Sequence, residues 1–291
     1  MDFWQNDFWI ILSGSLVAMS CGLLGCFLVL RKMAMVGDAI SHSVLPGIVI
    51  AFFISGSLSS WTVMIGATTL GILTTFIIEF LQKRGGVQAD AAIGLTFTFL
   101  FAVGVILIAA NSGNLHIDQD CVLHGEIAYI PLDTGTVIQG IEIPRQPMIL
   151  GVLFLAVVSF LLIGYRGLFL TTFDPEYSDA IGMQTSVWHY LLMAAVSLAT
   201  VVSFESVGAI LVVAFLIVPA ATAYLVTDHL PSMLILSCVF GVLASASGYY
   251  LAVFLDGSIA GAISTMMGVF FFLVFFFAPR YGFIARRMAG S

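Results

Sequence analysis

Two ionisable residues stand at the start of an apolar stretch, in the segment GDAISHSVLPG over residues 37–47. They are Asp38 and His42, and in a helix a separation of four residues places both side chains on one face. A carboxylate and an imidazole on one face can hold a divalent cation together, since imidazole suits zinc and carboxylate suits manganese and harder ions. Two ligands do not complete a metal site, so a neighbouring segment or water must supply the others.

Both residues also have ordinary structural explanations. Asp38 follows Gly37 and precedes an apolar run, which is typical of a helix N-cap. His42 could be a histidine that is hydrogen-bonded to a neighbouring helix. For either residue taken alone, these structural explanations are favoured. Once a position deep in the membrane is considered, a role in binding a metal or carrying a proton is about as good an explanation.

A third candidate is Glu205, which lies between two strongly apolar runs in VVSFESVGAILVVAFLIVPAATAYL. As a turn residue it needs no further explanation, and this interpretation is favoured. As part of a broken helix it could face an ion path. Later in the same stretch, Pro219 is expected to kink or end a helix, and Asp228 and His229 follow it.

A polar segment over residues 111–147 carries a cluster of side chains that could bind a metal or form a solvated acidic surface. The surface interpretation is favoured for each residue, although an acidic mouth would concentrate cations. His189, near the start of an apolar run, is expected to be structural. The cluster comprises His116, Asp118, Asp120, His124 and Glu126.

Composition sets the class of protein. Only 9% of the 291 residues are charged and the mean hydropathy is +1.12, whereas soluble domains carry about 25% charged residues. The chain is therefore expected to be an all-α, multi-pass membrane protein. A net charge of −7 argues against binding of nucleic acid. The chain lacks the HExxH and GxSxG motifs, so an enzyme is not expected. It also lacks the nucleotide-binding motif GxxxxGK[ST], so any ATP must be bound by another chain.

About 20 apolar residues are needed to cross a membrane, and nine segments qualify, of which the second and fifth are short or weak. Eight crossings with one re-entrant piece remain an alternative to nine. No cleaved signal peptide is expected, and one permease domain is expected to cover residues 1–291. The predicted spans are 8–30, 39–55, 61–81, 91–110, 148–164, 187–204, 207–226, 233–254 and 259–278.

Basic residues concentrate in cytoplasmic loops. With the N-terminus outside and nine spans, eight of the nine Lys and Arg residues fall inside and only Arg145 falls outside. The C-terminus and residues 165–186 are then cytoplasmic, and residues 111–147 form an outer loop. Within 165–186, Asp174 before Pro175 predicts an N-capped helix. His42 would lie about 15 Å beyond Lys32, near mid-membrane, where ionisable residues usually mark an ion path.

Three blocks resemble a known family. CGLLGCFLVLRKMAMVGDAISHSVLPGIVIAFF, FDPEYSDAIGM and SFESVGAILVVAFLIVPAATAYL are similar, in this order, to the membrane subunit of manganese, zinc or iron ABC importers. The resemblance implies a type II importer fold like that of the vitamin B12 importer. It also implies a homodimer with the ion path on its axis, two cytosolic ATP-binding subunits and an extracytoplasmic solute-binding protein in a bacterial cytoplasmic membrane.

The resemblance also implies residue roles. Asp38 and His42 would coordinate the transported Mn²⁺, Zn²⁺ or Fe²⁺, and Glu205 ranks third. Short coupling helices that contact the ATPase would lie at about 219–232, which includes Pro219, Asp228 and His229, with 165–186 on the same face. No permanently bound cofactor is expected. A secondary metal/proton transporter that works without an ATPase is the alternative, and a membrane enzyme or scaffold is a weaker one.

Overall fold

A computed structural model describes residues 3–55, 60–110, 127–132, 136–138 and 141–278. Within these residues the chain is almost entirely helical, as predicted. The α-helices are α1 (Phe3–Leu30), α2 (Ala34–Ser55), α3 (Ser60–Lys83), α4 (Ala89–Ala110), α5 (Arg145–Phe173), α6 (Pro175–Ala180), α7 (Thr185–Val207), α8 (Ala209–Val226), α9 (Leu230–Leu255) and α10 (Ile259–Phe277).

Nine of the described helices, all except α6, are long and apolar enough to cross a membrane. The number of candidate spans in the described chain therefore matches the nine predicted. The fifth span is not weak, because α5 runs for 29 residues, well beyond the predicted 148–164. The reason is that Arg166 is a good helix former with a long side chain, so a single exposed arginine does not end an apolar helix.

The segment between α4 and α5 contains the only β-strands among the described residues. A short 3₁₀ helix (Ile127–Leu132) is followed by a hairpin of β1 (Thr136–Ile138) and β2 (Ile141–Ile143), which pair antiparallel with Val137 opposite Glu142. The hairpin is a small addition to an all-α fold. The cluster of His116, Asp118, Asp120, His124 and Glu126 lies outside the described residues.

The chain divides into two compact units. Unit 1 comprises Met1–Lys32, His124–Ile163 and Ser203–Ser291. In unit 1, α1 packs against α8 and α9, and α10 packs against the same two helices. Small residues permit this close approach: a methyl group at Gly25 would collide with the backbone carbonyl group of Leu216.

Unit 2 comprises Met33–Leu123 and Gly164–Val202. Here α2 packs against α3 and α4, and an added Cβ at Gly47 of α2 would lie only 2.7 Å from the carbonyl oxygen of Gly66 on α3. The Trp188 indole fills the space beside Gly164 and Gly167. The single domain expected over 1–291 stays a prediction.

Candidate functional site

The backbone of α2 sets the positions of Asp38 and His42. The helix begins at Ala34, and the amide of Val36 donates to the carbonyl of Met33 at 3.0 Å. Asp38 is therefore one turn inside the helix, and the N-cap interpretation is wrong because the preceding residues already have helical geometry. At 1.5 Å per residue, His42 lies about 12 Å from the start of α2, well inside a candidate membrane span.

The two side chains meet, as their spacing predicts. Asp38 Oδ1 and His42 Nε2 are 3.5 Å apart. Two ligand atoms that bind one metal at about 2.1 Å in tetrahedral geometry lie about 3.4 Å apart. The pair can therefore share a divalent cation with little movement of either side chain.

Aromatic side chains border the imidazole. The ring centroids of Phe97 and Phe101, both on α4, lie 5.8 and 6.3 Å from that of His42. The polar partner of His42 is thus Asp38 on its own helix rather than a group on a neighbouring helix. The phenyl rings restrict the orientation of the imidazole on one side.

The other side of the pair is open. In the single chain, the side chains of His42 and Asp38 are 39% and 34% exposed. A carboxylate and an imidazole at this depth are costly unless a partner, a metal or water satisfies them. Within the described residues, no group of three or more His, Cys, Asp or Glu residues forms a complete metal site.

Glu205 occupies the last turn of α7 rather than the turn that follows. Its neighbours Phe204 and Ser206 are buried while Glu205 is exposed, and Ser206 is hydrogen-bonded to Gln146 at 2.8 Å. Gly208, with φ 80°, separates α7 from α8, and this backbone conformation favours glycine. Glu205 belongs to unit 1, whereas Asp38 and His42 belong to unit 2.

The segment 219–232 contains no separate short helix. Pro219 is buried inside α8, which continues to Val226, so the proline does not end the helix. Three residues then lead into α9, and of these Asp228 and His229 are exposed. Pro219 is therefore not available for direct contact with a partner, whereas Asp228 and His229 are.

A short helix does lie in the other segment that was predicted to be cytoplasmic, 165–186. The Asp174 carboxylate accepts a hydrogen bond from the amide of Tyr177 at 2.9 Å, and Pro175 starts α6. This confirms the predicted N-cap and proline. Almost every residue from Phe173 to Gly182 is exposed, so α6 presents a surface with both acidic and apolar side chains.

One polar cluster was not singled out from the sequence. The side chain of Glu79, on α3, is only 15% exposed and forms an ion pair with Lys83 one turn later. Tyr190 and His189, both on α7, lie within electrostatic range of the same carboxylate. The available signal was an acid inside the predicted span 61–81, since charges within spans are rarely incidental.

Comparison with known proteins agrees with the fold. A manganese transport system membrane protein, MntD of Bacillus subtilis, is 48% identical over 281 residues, which cover 96% of this chain and 95% of that protein. A zinc transport system membrane protein, TroD of Treponema pallidum, is 43% identical over 95% of this chain and 75% of its own length. The structure of PsaBC from Streptococcus pneumoniae in complex with Fab superposes with a TM-score of 0.79 at 33% identity, over 99% of this chain and 96% of that chain.

Nine membrane helices and these relatives define the permease subunit of an ABC transporter, a transport component rather than an enzyme. More particularly, the chain belongs to the ABC 3 transport family, whose profile matches residues 4–278. The predicted family, importer permease fold and multi-pass membrane location are thereby confirmed.

Proposed function

We propose that this permease imports a divalent transition metal through a site that includes Asp38 and His42. Mn²⁺ and Zn²⁺ are the main candidates for the transported ion, and Fe²⁺ is the third. The observation that carries the proposal is the 3.5 Å separation of Asp38 Oδ1 and His42 Nε2, which matches two ligands of one metal ion. The names of the manganese and zinc relatives support the choice of cargo. The ion is cargo, and no permanently bound cofactor is needed.

The functional permease is a homodimer in this proposal. Asp38 and His42 are each more than one third exposed in a single chain, and hydrocarbon would be a poor environment for either side chain. A second copy across a two-fold axis would cover the pair and supply a second Asp38 and His42. Four ligands of mixed oxygen and nitrogen type would then surround the ion.

The orientation in a bacterial cytoplasmic membrane follows from basic residues at the helix ends. The α1–α2 link carries Arg31 and Lys32, and the α3–α4 link begins with Arg84. Partial burial lowers the pKa of Arg31 to about 10, so this residue stays cationic at neutral pH. The positive-inside rule places these links in the cytoplasm, with the N-terminus outside and the C-terminus inside.

Two cytosolic ATP-binding subunits would dock on the cytoplasmic face. The exposed helix α6 and the link that carries Asp228 and His229 are the surfaces that they would contact. Pro219 would act indirectly by shaping the buried end of α8. A solute-binding protein would deliver the ion to the outer loop. Glu205, exposed at the outer end of α7, would bind the ion transiently on its way to Asp38 and His42.

Transport would proceed by alternating access. The ion enters from outside and is held by the paired Asp38 and His42 residues. ATP binding and hydrolysis in the partner subunits then close the outer side and open the inner side. Since the permease itself has no nucleotide-binding motif, metal uptake should depend completely on its ATPase partner.

The test is metal uptake, measured element by element, by proteoliposomes that contain the permease with its ATPase and binding protein. Asp38→Asn and His42→Gln preserve side-chain size, and each should lower the initial uptake rate by at least about tenfold. Asp90→Asn, at an exposed position at the start of α4, is the matched control, and its initial uptake rate should equal that of wild type.

Normal uptake by both variants would refute the site. Uptake that is unaffected by the absence of the ATPase or of ATP would refute the ATP-driven mechanism and favour a metal/proton transporter.

A further inference from the structure

Two aromatic rings of α4 form an apolar wall beside His42. The imidazole lies 5.8 Å from the ring of Phe97 and 6.3 Å from that of Phe101, measured between ring centroids. Both distances are within the range of direct contact between aromatic rings. Phe97 and Phe101 are four residues apart and therefore share one face of α4, as Asp38 and His42 share one face of α2. These two phenylalanines are called the aromatic wall below.

The order of the contacts shows which ring lies towards Asp38. His42 contacts both rings of the aromatic wall, and further along the two helices Val49 of α2 packs with Ile108 of α4. The contacts advance in the same direction along both helices, so α2 and α4 run parallel. Phe97, the earlier of the two rings on α4, therefore lies on the same side of His42 as Asp38, which is where an ion shared by the pair would be.

Packing between α2 and α4 fixes the aromatic wall in place. The side chain of Phe101 packs against the cluster of Val49 and Ile108. Val49 is fully buried and Ile108 is 7% exposed. Movement of the Phe101 ring would leave a cavity in this cluster, and cavities between close-packed apolar side chains are costly. The wall is thus a fixed border of the site.

The hydroxyl groups next to the wall and the imidazole are engaged with the backbone. Ser41 and Ser43, on either side of His42 in sequence, donate to carbonyl oxygens of α2 at 2.8 and 3.1 Å. Thr96, next to Phe97, donates to a carbonyl oxygen of α4 at 2.7 Å. All three side chains are buried. A water molecule on the α4 side of the imidazole would therefore meet apolar rings rather than hydrogen-bond partners.

An ion held by Asp38 and His42 would consequently have one dry side. The apolar surroundings of a metal site control the access of solvent to it, and a water molecule in such a place needs polar partners. Mg²⁺ gives up its water reluctantly and usually keeps several water ligands, and Ca²⁺ takes about six to eight oxygen ligands. Zn²⁺ and Mn²⁺ can take nitrogen and oxygen ligands from the chain instead.

We propose that Phe97 is a specificity-determining residue: its ring keeps water from one side of the ion at Asp38 and His42 and thereby excludes Mg²⁺ and Ca²⁺ from transport. The proposal rests on the proposed function and adds a residue that selects the ion without binding it. Phe101 extends the same wall by one turn, and all of these residues lie within unit 2. A purely structural role of Phe97 in the packing of α4 is the competing explanation.

The experiment uses the complete complex in proteoliposomes and measures the initial uptake of Mn²⁺ or Zn²⁺, whichever wild type transports, against increasing external Mg²⁺ or Ca²⁺. The measured quantity is the selectivity ratio, which is the inhibition constant of the competing ion divided by the KM of the transported ion. Phe97→Ala opens space for water beside His42 and should lower this ratio about tenfold. Phe97→Met fills most of the space with an apolar side chain and should keep the ratio within about twofold of wild type.

Phe99→Ala is the matched control. Phe99 lies between the two residues of the aromatic wall in sequence, but it is 63% exposed and occupies another face of α4. Its selectivity ratio should equal that of wild type. The ratio does not depend on the amount of folded complex, because both constants come from one preparation. A purely structural role predicts less folded complex or a lower maximal rate in Phe97→Ala, with an unchanged ratio.

Three results would overturn the proposal: an unchanged ratio in Phe97→Ala, the same loss in Phe97→Met as in Phe97→Ala, or the same loss in Phe99→Ala. If Phe97→Ala yields no folded complex, Phe97→Leu replaces it. The leucine variant opens less space and should lower the ratio by a smaller factor of about threefold. A wild-type ratio in Phe97→Leu would then refute the role of the ring.

Asp38→Asn, assayed in parallel, separates this inference from the proposed function. If wild type transports metal, Asp38→Asn does not, and Phe97→Ala keeps the wild-type ratio, the proposed function stands and the selective role of Phe97 is refuted. If wild type transports no metal with ATP, or if Asp38→Asn transports normally, the proposed function itself has failed.

Discussion

At the scale of single residues, the chemistry of this permease depends on where a few polar side chains point. Asp38 and His42 share a face of α2 because they are four residues apart, and their ligand atoms are 3.5 Å apart. The residue types and the spacing were sufficient to predict this pair. What they did not predict was the start of α2 at Ala34, which excludes an N-cap role for Asp38.

The proposed ligands predict a pH dependence of uptake. A protonated imidazole has no free lone pair for a metal, and in water imidazole takes up its proton near pH 6.5. Wild-type uptake should therefore fall as the outer and inner pH are lowered together from 7.5 to 5.5. His42→Gln should transport slowly at every pH and lose most of this dependence, as measured by initial rates in proteoliposomes. A wild-type profile that is flat over this range would contradict a role for His42 as a ligand.

At the scale of helices, short sequence signals predicted some boundaries and missed others. Asp174 before Pro175 predicted the start of α6, because a cap is a local interaction between neighbouring residues. The extension of α5 to Phe173 was missed, whereas the predicted span 207–226 already ran through Pro219, as α8 does. A membrane favours continued helix, because an unpaired backbone group in hydrocarbon costs several kcal/mol.

The N-cap of α6 is expected to matter for assembly. Replacing Asp174 by Ala should cost about 1 kcal/mol of local helix stability and weaken the binding of the ATPase subunit about fivefold. The Asp174→Asn variant can still cap the N-terminus of α6, so this variant should bind the ATPase subunit almost as tightly as wild type does. Titration of purified permease with the ATPase subunit measures both affinities, and equal binding by the Ala variant and wild type would show that α6 is not part of the docking surface.

The close approach of α1 and α8 provides a test of packing. In Gly25→Ala, the added methyl group would overlap the Leu216 carbonyl group, and overpacking of this kind costs about 1–3 kcal/mol. The expected result is a clear decrease in the apparent Tm of the purified permease. Gly268→Ala, on α10, adds a methyl group that meets nothing within 4 Å and should leave the apparent Tm unchanged.

At the scale of the whole molecule, orientation in the membrane is the property that the basic residues predict. Gly257, in the α9–α10 link, should be outside, and Gln88, in the α3–α4 link, should be inside; both are exposed. In intact cells, a membrane-impermeant maleimide should label Gly257→Cys and should label Gln88→Cys only after permeabilisation. The reverse pattern would invert the proposed orientation.

The sequence by itself determined the class of protein, the approximate position of each span and the candidate pair Asp38 and His42. These properties depend on composition and on spacing along one helix, which act over short distances in the chain. Only the tertiary structure revealed the burial of Glu79 and the open side of the Asp38–His42 pair, because both depend on packing between helices that are far apart in sequence. Within a membrane, apolar side chains are interchangeable with lipid, so hydrophobicity alone does not specify which helix faces meet.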